Sequence, residues 1–358
     1  MKRARTRLLD WYRANKRAMP WRETRDPYAI WISEAMLQQT RVETVIPYWE
    51  RFLTRFPDVH SLATADVDDV LGAWAGLGYY SRARNLQAAA RRIDQEFGGQ
   101  LPNDAETLQT LPGIGRYTAG AVASIAFDRP EPVLDGNVKR VLTRLLGIRE
   151  DIGRPAVVER LWAAAGALVR GRNPGDLNQA LMELGATVCT PKAPLCAACP
   201  VSLCCDANAA GDAESLPIKA RKKPARKVEA VVALVLRGGK GLAVRRPSRG
   251  LLGGLWDLPG DDLAPGESPR AGLSRALRER VGLEISSAAK IGSVQHVFSH
   301  RRLTLHVYRS DTPEGRTRLV GFDAHKWLVP GSIPSLPHAA VTAKALDLLI
   351  ASNHKQSI

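Results

Sequence analysis

The fold turns on one stretch, Leu111-Pro-Gly-Ile-Gly-Arg-Tyr-Thr-Ala-Gly120. It sets one proline and two glycines between two helix-period patterns, and the second pattern, 116–127, is almost wholly small and apolar. Gly113 and Gly115 permit positive φ and close backbone approach. The helix that follows opens with unpaired amide N–H groups, which suit a phosphate. A plain helix–helix turn is the competing reading of this stretch alone.

Outward from the turn, helix-period patterns fill residues 1–207: DPYAIWISEAMLQQT, ARNLQAAARRIDQEFGG, NVKRVLTRLLG and GDLNQALMELGATVC among them. Nothing in that span reads as a sheet. All five cysteines fall between Cys189 and Cys205, which excludes disulfides across the fold and reads as metal ligation. Cys189, Cys196, Cys199 and Cys205 are spaced C-x6-C-x2-C-x5-C, with Cys204 spare. Four thiolates in one loop can close around zinc or an iron–sulfur cluster. The single C-x2-C pair tilts the reading to iron–sulfur. The loop is rich in proline and poor in apolar residues, so the centre is expected to supply folding energy and to be structural.

Residues 208–227 hold few large apolar side chains, and six of the nine at 219–227 are basic. That composition reads as a linker able to strap a phosphate backbone. From 228 onward the pattern becomes strand-like (VEAVVALVLR, GLAVRR, SVQHVFSH, LTLHVYR) around one helical pattern, SPRAGLSRALRERVG, which predicts a separate α+β domain over 228–358.

The 358 residues carry 51 basic and 36 acidic side chains, a net charge of +15, and are 45% hydrophobic. This is globular composition with room for two or three cores, which excludes a disordered chain. No apolar run approaches the ~20 residues of a membrane span, and the basic N-terminus lacks the apolar core of a secretory signal. The expectation is a cytosolic protein with a polyanionic partner. No coiled-coil heptads appear, so a monomer is expected.

Two carboxylates stand out. Glu34, in YAIWISEAML, has small or apolar neighbours except Ser33; burial there would raise its pKa and let it hold a proton near neutrality. The pattern alone leans instead to an exposed or paired glutamate on an amphipathic helix. Gln38 lies one turn on and Gln39 beside it. Asp135 follows Pro132-Val-Leu134 and precedes GNVKRVLTRLL, where an N-cap belongs. A helix N-terminus would keep it ionised. An acid paired with a charge stabiliser is the arrangement used in glycosidic cleavage.

Together, LPGIGRYTAGA, VLDGNVKR, the cysteine spacing, SEAMLQQT and GLGYYSRARNL resemble the helix-hairpin-helix DNA glycosylases with an iron–sulfur loop, and within them the MutY family, which removes adenine opposite 8-oxoguanine. GLLGGLWDLPG and HVFSH extend the resemblance through the C-terminal region. It implies a multidomain fold: an all-α helix-hairpin-helix core over 1–207 followed, after the linker at 208–227, by an α+β Nudix-like domain over 228–358. The core would divide into a six-helix subdomain (20–130) and a cluster subdomain (1–19 with 131–207), with a structural [4Fe-4S] cluster on Cys189, Cys196, Cys199 and Cys205.

The resemblance further implies that Glu34 protonates adenine at N7 and that Asp135 stabilises the cationic sugar or attacks it transiently, supported by Tyr117 and Asn137. The base would be flipped from the stack. Trp21, Arg22 and Gln179 would line its pocket. Gln39 and Tyr79 would fill or wedge the vacated site, and Thr40, Leu77, Gly78, Gly113 and Gly115 would join the contacts to DNA. Phe298, Ser299 and His300 would read 8-oxoguanine. The implied partner is double-stranded DNA with A:8-oxoguanine or A:G mispairs, met in the cytoplasm on the nucleoid.

Tyr117 stands where the endonuclease III branch has a lysine that forms a Schiff base, so a monofunctional base-excision glycosylase is implied. The rivals are a glycosylase-lyase, for which Lys139 is the nearest amine though off the hairpin position, and a catalytically silent lesion-binding module. The third is a nucleotide pyrophosphatase. In the Nudix pattern G-x5-E-x7-R-E-U-x-E-E-x-G-U, Glu267, Arg275 and Glu279 fit, but Asp261 replaces the leading glycine, and Ala276 and Arg280 replace glutamates. This domain should bind and not hydrolyse.

Overall fold

The computed structural model describes residues 2–220, 224–298, 301–311 and 313–355. The chain packs as two units, residues 1–64 with 85–222 and residues 65–84 with 223–358.

The helices up to residue 209 are α1 (Lys2–Asn15), α2 (Pro27–Leu37), α3 (Val42–Arg55), α4 (Val59–Thr64), α5 (Val67–Ala73), α6 (Ser81–Phe97), α7 (Ala105–Gln109), α8 (Arg116–Phe127), α9 (Gly136–Leu145), α10 (Pro155–Val169), α11 (Pro174–Thr187) and α12 (Asp206–Ala209). Among the described residues no strand precedes Arg226, as the periodicity predicts. α2 decides the centre of the first unit. Asp26 caps it by accepting from the amides of Tyr28 (3.0 Å) and Ala29 (3.3 Å), with Pro27 at its first position. Every residue from Tyr28 to Met36 is then buried. A helix apolar all round has no solvent face, so α2 runs through the core against α3 and α8 and takes Glu34 inside with it.

α8 approaches the backbone before α9 closely. A Cβ on Gly120 would lie 2.2 Å from the Pro132 carbonyl oxygen, so only glycine fits. α11 packs against α1, α8 and α9, and Leu8, Val138, Val141, Leu177, Leu181 and Leu184 join in one core.

The stretch with linker composition begins as packed chain. Ala213 and Leu216 are buried with Ala207 against Cys196 and Cys205, and the Ile152 amide donates to the Ile218 carbonyl at 3.1 Å. A few small side chains suffice because the cysteine loop, and not a new core, receives them.

The second unit is built on strands β1 (Arg226–Arg237), β2 (Lys240–Arg245), β3 (Trp256–Asp257), β4 (Gly260–Asp262), β5 (Glu284–Ile285), β6 (Ala289–Val297), β7 (Arg301–Ser310), β8 (Pro313–Glu314) and β9 (Ala324–Leu328), with helices α13 (Pro269–Val281) and α14 (Ala340–Lys355). The main sheet runs β3-β2-β1-β7-β6, with β4 on β1 and β9 on β2. β1 and β7 are parallel (Val228 opposite Leu303, Ala233 opposite Tyr308), and β6 and β7 are antiparallel. β1 is buried continuously from Ala230 to Leu234 and on to Val235, as a strand covered on both faces must be. α13 lies against β1 and β4, α14 against β6.

The segment 65–84 is joined to this sheet by polar contacts: Asp68 with Arg245 (3.1 Å) and the Trp256 indole N–H (3.3 Å), the Tyr80 hydroxyl donating to the His338 carbonyl (3.0 Å), and Arg84 donating to the Gly253 carbonyl. Among the described residues no helix is long and apolar enough to cross a membrane. Replacing the fully buried Leu8 by alanine should lower the unfolding free energy by roughly 2–5 kcal/mol, read from the urea midpoint, because α1 is part of the core and not an appended arm.

Candidate active site and cysteine loop

A cavity of about 510 Å³ opens in the first unit. Glu34 reaches it from α2, Tyr117 from the first turn of α8, and Asp135 and Asn137 from the start of α9. Gln179, Met182 and Glu183 come from α11, Trp21 and Arg22 from the short 3-10 turn Pro20–Arg22, and Gln38, Gln39 and Thr40 from the end of α2. Gln38 caps α2, and Gln39 after it adopts φ 60°, outside right-handed helical geometry.

Glu34 is 4% exposed, against the lean of its sequence pattern: α2 has no polar face on which a glutamate could sit. The Tyr117 hydroxyl donates to its Oε2 at 2.7 Å and also contacts the Met182 sulfur at 3.3 Å. Burial pushes the Glu34 pKa up to about 7; the Tyr117 hydrogen bond and the Arg22 charge oppose this, and the Asp135 charge adds to it. Burial and the neighbouring carboxylates hold the Tyr117 phenol neutral, well above its ordinary value, so it remains a donor.

Asp135 is the N-cap of α9, accepting from the Val138 amide at 2.7 Å and from the Asn137 side chain at 3.1 Å. Its pKa nevertheless moves up, because burial outweighs the Val138 and Asn137 donors and the Arg140 charge. Both carboxyls are thus raised; the cap does not by itself separate them. Trp21 is buried edge-on to Trp49, with centroids 6.0 Å apart.

Gly113 has φ +76°, and a Cβ there would fall 2.6 Å from the Asn85 Cβ. Gly115 differs from the sequence expectation: it caps α8 at φ −89°, and a Cβ would meet nothing within 4 Å. Only the first glycine is demanded by the turn; the second leaves open space before the α8 amides.

Cys189, Cys196, Cys199 and Cys205 line one small cavity in the first unit, while Cys204 is exposed and outside it. Burial drives the Cys199 thiol up to about 11, the Val201 amide opposes this, and the neighbouring sulfurs add to it; as thiolates, these groups call for a cation. Arg144, buried on α9, donates to the Cys189 sulfur (3.3 Å) and the Thr190 carbonyl (2.7 Å). Arg140, one turn earlier, links the Cys189 carbonyl (2.7 Å) to the Asn137 side chain (2.9 Å). Sequence reading missed both arginines, and Arg17, Met182 and Glu183 as well. The i, i+4 spacing of Arg140 and Arg144 on a helix beginning at Asp135, and of Gln179 and Glu183, was the available signal.

In the second unit a groove of about 500 Å³ is walled by Leu77, Gly78 and Tyr79 on one side and by His296, Val297 and Phe298 on another. Tyr79 is 46% exposed at φ 48° and Arg82 lies over its ring; it is no core aromatic. Phe298 packs edge-on to His296 at 4.6 Å. Ser299 and His300 lie outside the described residues. Glu267 accepts two hydrogen bonds from Arg275 (2.8 and 3.0 Å), and Arg280 approaches Asp261 at 3.7 Å. The Glu267–Arg275 pair is thus made of two residues that fit the Nudix pattern, whereas Arg280, standing where that pattern has a glutamate, turns to Asp261.

Residues 32–165 match the family model of the HhH-GPD superfamily base excision DNA repair proteins, and residues 231–348 that of the NUDIX domain. The chain is 41% identical to the adenine DNA glycosylase of Mus musculus, over 85% of this chain and 70% of the mouse protein. It belongs to the adenine DNA glycosylase family. The member from Schizosaccharomyces pombe is 32% identical over 86% of this chain and 81% of its own. The human member is 41% identical over 84% of this chain, which spans 65% of the human protein's length.

Among solved structures, a thermostable thymine-DNA glycosylase aligns with TM-score 0.54 at 28% identity, over 58% of this chain and 98% of that one. Endonuclease III trapped on DNA shares the fold with TM-score 0.51 at 21% identity, over 59% of this chain and 96% of that one. The architecture is the family's helix-hairpin-helix core followed by a Nudix-like domain. Within it, Gly113→Ala should destabilise the protein by about 1 kcal/mol or more, whereas Gly115→Ala should leave the urea midpoint near that of the parent.

Proposed function

We propose that this chain is a monofunctional DNA glycosylase that removes adenine paired with 8-oxoguanine or guanine, within base excision repair. The observation that carries the reading is a carboxyl with pKa near 7, buried in a cavity and hydrogen-bonded to a neutral tyrosine. Adenine flipped into the cavity meets Trp21, Arg22 and Gln179 at its walls, at a cost of a few kcal/mol for unstacking. Glu34, protonated, gives its proton to N7. The bond from sugar C1′ to N9 then breaks, and its electron pair leaves with the base. Asp135, capped by the Val138 amide and Asn137, faces the cation left on the sugar. Water adds to C1′, loses a proton, and an abasic site remains. Tyr117 offers no amine for a Schiff base, so the backbone stays intact.

The four thiols fit an iron–sulfur cluster. Cys189, Cys196, Cys199 and Cys205 line one cavity, and four thiolates so gathered can ligate such a cluster. When bound, a [4Fe-4S] cluster supplies iron–thiolate bonds that cross-link a loop with little core of its own, and Arg144 balances the charge on Cys189. In the second unit, the groove between Tyr79 and Phe298 supports reading of the base opposite the adenine, with Ser299 and His300 beside it in sequence. Ala276 and Arg280, at positions where the hydrolase pattern has glutamates, argue for binding without pyrophosphate hydrolysis. Leu77, Gly78, Gly113, Gly115, Gln39 and Thr40 complete the proposed contacts to duplex DNA, for which the net charge of +15 is suited.

Single-turnover base release on duplexes with A opposite 8-oxoguanine, G or T tests the reading. Alkali-dependent breaks are expected in that order of rate, with none at A:T; breaks without alkali, or a borohydride-trapped adduct in high yield, would contradict it. The rate should fall as pH rises through about 7, where Glu34 loses its proton, and fall again in acid as Asp135, its pKa raised by burial, takes one up. Glu34→Gln should lower the rate at least about 100-fold while leaving the Kd for lesion DNA within a few-fold.

A further inference from the structure

Glu183 lies at the wall of the catalytic cavity and has no part in the chemistry just described. Its side chain is 1% exposed, and a carboxylate so deep survives as an ion only if its partners replace water. They do. Oε1 accepts from the Arg17 amide (3.1 Å) and Arg17 Nε (2.7 Å), and Oε2 accepts from Arg17 Nη2 (3.0 Å) and Arg22 Nη2 (2.8 Å). Burial pushes this carboxyl up, but the hydrogen bonds from Arg17 and Arg22 and the Arg22 charge prevail and bring it down to about 2.

The arrangement also fixes Arg22. Its Nη1 donates to the Arg17 carbonyl at 2.9 Å, and its guanidinium lies 5.4 Å from the centroid of the Tyr12 ring. The Arg22 side chain is only 7% exposed, and it shares the cavity with Glu34. A buried guanidinium beside an acid that must stay protonated is a conflict: its charge favours the ionised carboxylate. The groups facing Glu34 are the Tyr117 hydroxyl from α8, Asp135 from the head of α9 and Arg22 from the 3-10 turn. α3 contributes only the uncharged Val42 to the cavity; Arg17, which follows α1, and Glu183 of α11 also line it and are paired with each other, and Glu183 meets Arg22 at 2.8 Å.

We infer that Glu183 is a positioning residue that holds the Arg22 guanidinium in the base pocket and neutralises it, so that an arginine can contact the flipped base without stripping the proton from Glu34. The inference rests on the reading of Glu34 as the acid. It explains why an ion cluster is buried at this wall at all: the cavity needs the directional donors of Arg22 but not its unbalanced charge.

The test is the pH dependence of single-turnover base release from A:8-oxoguanine duplex, at saturating protein, for the parent, Glu183→Gln and Glu183→Asp. Activity in the parent with a midpoint near pH 7 establishes the underlying reading independently of Glu183. In Glu183→Gln the midpoint of the alkaline limb should fall by about one pH unit, so that the loss is roughly tenfold at pH 8 and recovers toward the parent rate at pH 5.5, while Glu183→Asp restores the parent midpoint. An unchanged midpoint, or a loss equal at every pH, would overturn the inference while leaving the glycosylase reading intact. Should Glu183→Gln not fold, the double variant Glu183→Gln/Arg22→Met removes both buried charges. Its midpoint should lie at or above that of the parent, and a midpoint below it counts against the inference.

Discussion

The hydrogen bond from the Tyr117 hydroxyl to the buried Glu34 carboxyl, 2.7 Å long and at the wall of the cavity, is the contact around which the first unit is arranged. It joins α2, the helix buried on every side, to the first turn of α8, the helix that the glycine hairpin launches. An acid can sit at the centre of a helical core only if it is neutral or richly hydrogen-bonded. Here one donor and the loss of solvent together place it near neutrality. The apolar character of α2 is therefore part of the chemistry: the residues that make it a core helix are the same ones that strip water from Glu34.

α9 carries the second half of the arrangement. Its cap is Asp135, and its next two turns present Arg140 and Arg144 to the cysteine loop. A continuous set of hydrogen bonds runs from the Cys189 carbonyl through Arg140 and Asn137 to the Asp135 carboxylate. The loop itself has little hydrophobic content, so its shape depends on these arginines and on whatever its four thiols bind. The order of the loop and the placing of the carboxylate are thereby one problem, solved on one helix.

Much of this was legible in the sequence. The 3.6-to-2 change of period marked the passage from helices to sheet, Asp135 stood where a cap belongs, and the cysteine spacing drew attention to the four thiols that share a cavity. Other features were not legible, for definite reasons. The burial of Glu34 depends on what packs against α2, and the helix's own pattern does not say which faces are covered. Asp135 is raised despite its cap because burial is a tertiary quantity. Arg17, Arg22 and Glu183 come together from positions more than 160 residues apart in the chain, beyond the reach of any local pattern. The docking of Ala213 and Leu216 escaped a composition that reads as linker, since two small contacts on the cysteine loop suffice to hold it. The segment 65–84 has ordinary helical patterning, and its attachment to the C-terminal sheet lies in single polar contacts such as Asp68 with Arg245.

The proposed chemistry depends on the protonation of one carboxyl, Glu34. Its most direct measurement is the infrared difference spectrum of the parent against Glu34→Gln as a function of pH, without DNA. A protonated-carboxyl stretch present in the parent alone and vanishing with a midpoint near 7 is the predicted result. Loss of that band near pH 4 to 5, the range of an ordinary glutamate, would mean that Glu34 is ionised when the enzyme works, and the proposed acid would have to be sought elsewhere.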